Sequence, residues 1–338
     1  MSIFRLPLKL LIAVGAALFI YFTYLFYLPH PAKDFKNETR YLLIRKGDTL
    51  GSTANKLKKI GAISSTANFI FFAKAFGYEK RLHPGRYEIL PKYSISALIK
   101  MIAASRQIPL DVTIPEGYTI AQIGRALQAT LDLDIEQFRD AAESRDLIDS
   151  LGLEIDNLEG YLFPDTYEFY YDEHPAGIIE TLVGRFFASL PDSFEEKANK
   201  LGLDFQEAII LASIIEEEAI KDEERPIIAA VYLNRLRRGM KLECDPTVIY
   251  AIGNLNRPLV RKDLGYSSPY NTYLNYGLPP GPISNPGKKS LEAAVNPTND
   301  KFLFFVARGD GSHIFSHTYS QHLSAISRIK KMKRANIS

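Results

Sequence analysis

The hydrophobic pattern divides the chain into an apolar start and a long amphipathic remainder. From Leu10 to Leu28 no charge interrupts a run of Leu, Ile, Phe, Val, Ala and Tyr. At about 1.5 Å per residue this run crosses most of a bilayer core of about 30 Å, and Leu6 to Leu8 extend it. Arg5 and Lys9 precede it, which keeps the N-terminus on the cytoplasmic side. Tyr21, Tyr24 and Tyr27 stand toward the far end, where interfacial aromatics belong. A cleaved signal peptide is the rival reading, but the run is too long for its apolar region and no small-x-small site follows Leu28. The pattern therefore predicts a cytoplasmic tail over 1–7, an uncleaved transmembrane helix over 8–28 and a linker over 29–40 that carries Pro29 and Pro31.

Beyond the linker a motif recurs. Ile44-Arg-Lys-Gly-Asp-Thr-Leu aligns with Ile114-Pro-Glu-Gly-Tyr-Thr-Ile, and Ile89-Leu-Pro-Lys-Tyr-Ser-Ile is a looser copy. Each ends a strand, turns, and places Thr49, Thr119 or Ser94 where a helix N-cap would accept a free N–H. The unit is strand–turn–helix, used three times. The first copy resembles a LysM module, which implies a subdomain over 41–105 and a glycan as its ligand. The open alternative is that Gly-x-Thr builds only a turn and a cap.

Residues 118 to 200 predict mainly helices, broken by the aromatic segment Asn157 to Phe169, which reads as turn and strand. A helix follows over 205–221, then another over Arg225 to Arg238 with Pro226 in its first turn and Gly239 at its end. Residues 241 to 288 are loop-rich, as a cleft wall would be. Ser290 to Val295 gives a short helix, Phe302 to Ala307 and a second run through His313 and Phe315 give strands, and Gln321 to Asn336 a basic helix. The fold class is α+β: one N-terminal transmembrane helix, a small subdomain and a larger mixed unit over 110–330.

The helix at 205–221 ends in Glu216-Glu217-Glu218. At about 100° per residue Glu217 falls with Ser213 and Lys221 on a narrow polar side. Glu216 falls among Ala212, Ala219, Ile209 and Ile220, and Glu218 between Leu211 and Ile214. A carboxyl on an apolar arc resists ionising, and a raised carboxylic acid is what a general acid at neutral pH requires. The plain alternative is a buried acid paired with an arginine such as Arg225.

Composition narrows the picture. A net charge of +2 gives no basic surface for nucleic acid. The single cysteine, Cys244, rules out an intramolecular disulfide and any Cys-rich metal site. His313 and His317 lie four apart on an expected strand, about 13 Å, too far for one ion. No metal or cofactor is expected.

Six motifs occur in order: Glu159-Gly-Tyr-Leu-Phe-Pro-Asp-Thr-Tyr167, Ala212-Ser-Ile-Ile-Glu-Glu-Glu218, Val231-Tyr-Leu-Asn-Arg-Leu236, Asp245-Pro-Thr-Val-Ile-Tyr250, Tyr270-Asn-Thr-Tyr273 and Gly277-Leu-Pro-Pro-Gly-Pro-Ile283. Together they resemble the YceG family of endolytic murein transglycosylases, from the apolar helix to about residue 325. The resemblance implies a LysM-like subdomain and a catalytic domain that cuts peptidoglycan between N-acetylmuramic acid and N-acetylglucosamine, leaving 1,6-anhydro ends. It implies an inner-membrane, single-pass protein with its catalytic domain outside the cytoplasm, working on nascent strands beside peptidoglycan synthases. The family's essential acid falls on Glu216, which would protonate the glycosidic oxygen and then take the proton of the muramic C6 hydroxyl. Glu217 stands where relatives often carry lysine. Glu218 matches a second family acid, here expected to pair with Arg235 or Arg225. Asn234, Asp245, Tyr270, Asn271 and Tyr273 are candidates for orienting glycan or acid, each with a packing alternative. The rival functions are a non-catalytic membrane-anchored glycan-binding scaffold and a muramidase-type hydrolase.

Overall fold

The structure is a computed structural model that describes residues 8–31, 35, 38–253, 255 and 257–335. The expected cytoplasmic tail 1–7, Arg5 included, lies outside the described residues, as do 32–34 and 36–37 of the linker and Asn336. The chain forms two compact units: Met1–Asp111 with Thr130–Asp132 and Glu168–Glu173, and Val112–Ala129 with Leu133–Tyr167 and His174–Ser338.

In the first unit, helix α1 (Leu8–Tyr27) is long and apolar enough to cross a membrane, and almost all of it faces outward. Its last turn is the exception: Phe26 is buried against Phe72 and Phe76, with ring centroids 4.8 and 4.6 Å away. The rest runs β1 (Arg40–Ile44), α2 (Leu50–Lys59), α3 (Thr66–Ala75), β2 (Gly85–Ile89) and α4 (Ile95–Ala103). β1 and β2 pair antiparallel, Arg40 opposite Ile89 and Ile44 opposite Gly85. Alternation along both strands turns Leu42, Ile44, Tyr87 and Ile89 inward onto Leu57, Phe69 and Leu98.

The second unit begins within β3 (Leu110–Thr113), which pairs with β4 (Thr166–Phe169). Between them lie α5 (Ile120–Leu131), α6 (Ile135–Ala142) and α7 (Arg145–Ser150). Then come α8 (Pro175–Ser189), α9 (Phe194–Leu201), α10 (Phe205–Glu218), α11 (Arg225–Arg237), α12 (Asp245–Ile252) and α13 (Lys288–Val295). The hairpin β5 (Phe304–Ala307) and β6 (His313–Ser316) follows, and α14 (Tyr319–Ala335) closes the chain. All three repeat copies are strand–turn–helix, and all three hydroxyls cap: Thr49 accepts from Ser52 N–H at 3.1 Å, Ser94 from Ala97 at 3.2 Å and Thr119 from Gln122 at 3.4 Å.

α10 is the centre of this unit. It packs against α9, α11, α12 and α13, so every residue from Ala208 to Ile215 is buried. A capping box starts it: Asp204 accepts from Glu207 N–H at 2.7 Å, and Glu207 accepts from Asp204 N–H at 2.9 Å. Its end differs from the expected 205–221. The helix stops at Glu218, Ala219 is extended, and a 3₁₀ turn over Asp222–Glu224 leads into α11. The stop turns the chain back, so that Asp222 and Arg225 reach toward Glu216. The loop-rich stretch also differs, because Asp245 and Pro246 open α12 rather than a turn, with proline in the first helical turn where its missing N–H costs nothing.

Gly160 shows how closely the aromatic segment meets the Pro-rich loop. Its φ is +88°, and a Cβ there would lie 2.5 Å from Pro282 Cγ. Gly160→Ala should therefore cost about 2 kcal/mol or more, through strain and overpacking. Gly184, inside α8 with open space where its Cβ would be, is the control: Gly184→Ala should add about 0.5–1 kcal/mol. Urea unfolding of the two variants checks both signs.

Candidate active site

The acidic end of α10 is divided among three surroundings. Glu216 is buried, with 6 % of its side chain exposed, beside Arg225 at 7 %. Arg225 Nη1 donates to Glu216 Oε1 at 3.0 Å, and the Gly287 N–H donates to Oε2 at 2.9 Å. Both oxygens accept from donors that stabilise a negative charge. Arg225 also donates from Nε to Asp222 Oδ1 at 3.2 Å and from Nη1 to Ser290 Oγ. Lys289 in turn binds Asp222, and hydrogen bonds from Lys289 and Arg225 hold the Asp222 carboxyl below its usual range. The plain alternative for Glu216, an acid paired with Arg225, describes its contacts.

Glu217 is exposed, in keeping with its place on the narrow polar side of the helix. Ser213, its neighbour on that side, is fully buried and accepts from Ile283 N–H at 3.1 Å. Glu217 itself lines a cleft of about 610 Å³ whose walls include Thr119, Arg125, Glu159, Tyr250 and Ile283. Desolvation by these walls, then the charges of Glu216 and Glu218, push its pKa up to about 7 against a hydrogen bond from Ser284.

Glu218 points away from both. It accepts from Tyr232 O–H at 3.0 Å and from Cys244 Sγ at 3.2 Å. Desolvation raises its pKa, and these two hydrogen bonds oppose that. The expected arginine partner is a correction: Arg225 serves Glu216, while Arg235 donates to the carbonyls of Leu303, Lys241 and Leu242 and to Glu243. Tyr232, three residues before Arg235 on α11, takes its place. Cys244 is a buried free thiol.

The cleft's inner wall is fastened by Glu159. Its Oε1 accepts from Ile120 N–H at 3.0 Å and from Asn285 Nδ2 at 2.9 Å, and its Oε2 from Tyr250 O–H at 3.3 Å. One carboxyl thus joins the start of α5, α12 and the Pro-rich loop. Desolvation pushes its pKa up to about 8, although all three hydrogen bonds lower it. Asn285 extends the knot, donating to Tyr118 O and accepting from Leu162 N–H, each at 2.8 Å.

The loop before α5 closes over Glu216. Gly117 has φ +78°, and a Cβ there would come within 2.8 Å of Glu217 Oε1 and 3.8 Å of Glu216 Cγ. Glu116 lies on Gly287, with its Oε1 1.9 Å from where a Cβ would stand. Desolvation and the Glu216 charge raise the Glu116 pKa, while Arg225 and Lys289 oppose.

The other expected site residues hold loops. Asn234 donates to Asp300 O at 2.8 Å and Phe302 O at 3.1 Å. Asn271 is fully buried and donates to Leu264 O and Tyr266 O. Tyr273 O–H donates to Asp245 Oδ1 at 2.7 Å. Tyr270 packs on Tyr250, 5.0 Å between ring centroids, and so backs the cleft. None of these five is among the residues that line the cleft. The histidines are apart: His313 binds Glu224 at 2.7 Å, His317 stacks on Phe302 and His322 on Phe304. Glu116 and Glu159 were not among the expected site residues, and Glu217 was set aside as the position where relatives often carry lysine. Glu116 and Glu159 sat inside quoted motifs but read as turn residues, because nothing local announces the partner that desolvates them.

The chain matches the YceG-like family over residues 42–328. It is 32% identical over 314 residues to a Bacillus subtilis protein named endolytic murein transglycosylase, covering 87% of this chain and 86% of that one. It is 29% identical over 320 residues to a Streptococcus pneumoniae protein of the same name, of which it spans 58%. A crystal structure of a yceG-like protein from Listeria monocytogenes aligns with TM-score 0.59 and 32% identity, over 85% of this chain and 99% of that one.

Two outcomes follow from the geometry. Arg225→Met leaves a buried carboxylate without its cation and should cost about 3–5 kcal/mol, most of it regained when Glu216→Gln is added; a double-mutant cycle measures this. Glu159 keeps in the folded state a proton that the unfolded chain loses above its ordinary pKa of 4.5. That contribution is full below 4.5 and is lost as pH rises through about 8. Unfolding midpoints across this window should fall with pH in the parent and flatten in Glu159→Gln.

Proposed function

This chain belongs to the YceG-like family, and from that premise we propose that it is an endolytic murein transglycosylase. It acts on peptidoglycan glycan strands as a lyase: the bond between N-acetylmuramic acid and N-acetylglucosamine breaks, and the muramic C6 oxygen closes on C1 to leave a 1,6-anhydro end. The observation that carries the reading is a buried glutamate with a fixed set of donors, Glu216, next in the chain to the cleft-lining Glu217, in a chain aligned over most of its length with a protein of that name.

Glu216 is the central catalytic carboxyl of this reading. Its surroundings favour the second half of the reaction, where an anion accepts the C6 hydroxyl proton, because Arg225 and the Gly287 N–H support the charge before that step. Tyr250 offers the cleft a ring and Arg125 a cation for sugar and carboxylate groups. Glu218, Asn234, Asp245, Tyr270, Asn271 and Tyr273 are read as residues that hold the walls.

Residues 41–105 are read as a LysM-like subdomain. The order β1–α2–α3–β2 supports this, as does a groove of about 580 Å³ beside the first repeat turn, walled by Asp48, Thr49, Gly51, Lys80 and Leu82. Glycan is its proposed ligand. α1 is the proposed anchor in the inner membrane, with the N-terminus cytoplasmic and the catalytic domain outside, close to where synthases extrude new strands.

The full chain in detergent should release short glycans from purified strands. Glu216→Gln should lower that rate at least about 10²-fold, the usual worth of a positioned proton-transfer group. A variant that cuts as fast as the parent would remove Glu216 from the chemistry.

A further inference from the structure

We propose that Glu116, on the loop between β3 and α5, is a second catalytic carboxyl of this site and delivers the proton to the leaving glycosidic oxygen, with Glu216 as the base. This rests on the lytic reading above. The two groups share Gly287: Glu216 accepts its N–H at 2.9 Å, and Glu116 Oε1 lies 1.9 Å from where its Cβ would stand. By covalent geometry the two carboxyl groups are then less than about 7 Å apart. That is within the span at which paired carboxyls serve one glycosidic bond.

Their surroundings push them to opposite tasks. Glu216 is buried and accepts on both oxygens from Arg225 and Gly287, so it is supported as an anion. Glu116 is exposed. The groups that act on it are Glu216 from α10, Arg225 from α11, Lys289 from α13 and Asp222 from the 3₁₀ turn. Lys289 and Arg225 are already committed to Asp222, and Arg225 to Glu216 as well. Desolvation and the Glu216 charge dominate, raising the Glu116 pKa. The two carboxyls, joined at Gly287, thus sit in unlike surroundings, one buried between fixed donors and one exposed.

The loop is also held in place. Gly117 N–H donates to Asn285 O and Asn285 N–H donates to Tyr118 O, each at 3.0 Å. Glu159 is engaged by its three donors. Glu217, one residue along α10, leaves the helix about 100° from Glu216 and faces the cleft.

The step balances. As the C1–O4 bond breaks, its electron pair goes to O4, which takes the Glu116 proton. The C6 oxygen then bonds to C1, and its proton passes to Glu216. Water returns that proton to Glu116 after the product leaves, and no water is consumed.

The test uses the full chain in detergent with two substrates. One is glycan strands. The other is a GlcNAc–MurNAc oligosaccharide carrying an activated phenol on its reducing end, which leaves without a proton. Glu116→Gln should lose about 10²–10⁴-fold on glycan and stay within about tenfold of the parent on the phenol glycoside, while Glu216→Gln loses both. On glycan, kcat/KM of the parent should fall at high pH as Glu116 loses its proton, and on the phenol glycoside that fall should be absent or much weaker. The proposal is overturned if Glu116→Gln cuts glycan like the parent. It is equally overturned if that variant, with an unchanged unfolding midpoint, loses both substrates together, or if Glu217→Gln shows the split instead. A parent that leaves glycan uncut would instead sink the lytic reading beneath it.

Discussion

The buried pair of Glu216 and Arg225 is the constraint around which the second unit is arranged. A carboxylate and a guanidinium with 6 and 7 % of their side chains exposed lose hydration worth several kcal/mol each, and their attraction offsets this only with good geometry and further hydrogen bonds. Those further bonds dictate local structure. α10 must end at Glu218 so that the chain can return Arg225 to Glu216 within nine residues. α13 must begin where Gly287 N–H and Ser290 Oγ meet the pair. Asp222 and Lys289 complete an alternating row of charges. Such a row is a weak contributor to net stability and a strong constraint on position.

The cleft poses a different problem, because most of its walls are loops and helix ends. Loops carry backbone donors and acceptors that burial would leave unsatisfied. Asn and Glu side chains meet that need here. Glu159 and Asn285 tie the start of α5 to the Pro-rich loop, Asn271 closes the loop after α12, and Asn234 ties α11 to the segment that leads into β5. Gly117 and Gly160 let two of these segments approach where a side chain would collide. The polar interior is thus the scaffold of the cleft.

The elements were largely legible in the sequence. Apolar length marked α1, hydroxyls after strand ends marked three caps, and Pro226 and Gly239 bounded α11 within a residue. These signals are local, so a single chain carries them. The candidate site was legible only in part. Glu216 emerged from its place in an ordered motif, and Glu217 stands exposed on the polar side that the wheel gave it, while the helix behind it is enclosed from Ala208 to Ile215. Glu218 took a tyrosine and a thiol instead of an arginine because partner choice is set by the rotation of α11. Glu116 and Glu159 were invisible as chemistry because their importance comes from Gly287, Ile120 and Tyr250, residues far along the chain. The repeat drew attention to Glu116-Gly117 as a turn; the fold laid that turn over the acids of α10.

The central claim is that this site captures the broken bond with the substrate's own C6 oxygen and keeps water out of the step. Digesting glycan strands with the full chain in water enriched in ¹⁸O, and weighing the new ends by mass spectrometry, tests it directly. Anhydro ends without ¹⁸O are expected. Reducing ends carrying one ¹⁸O each would contradict it.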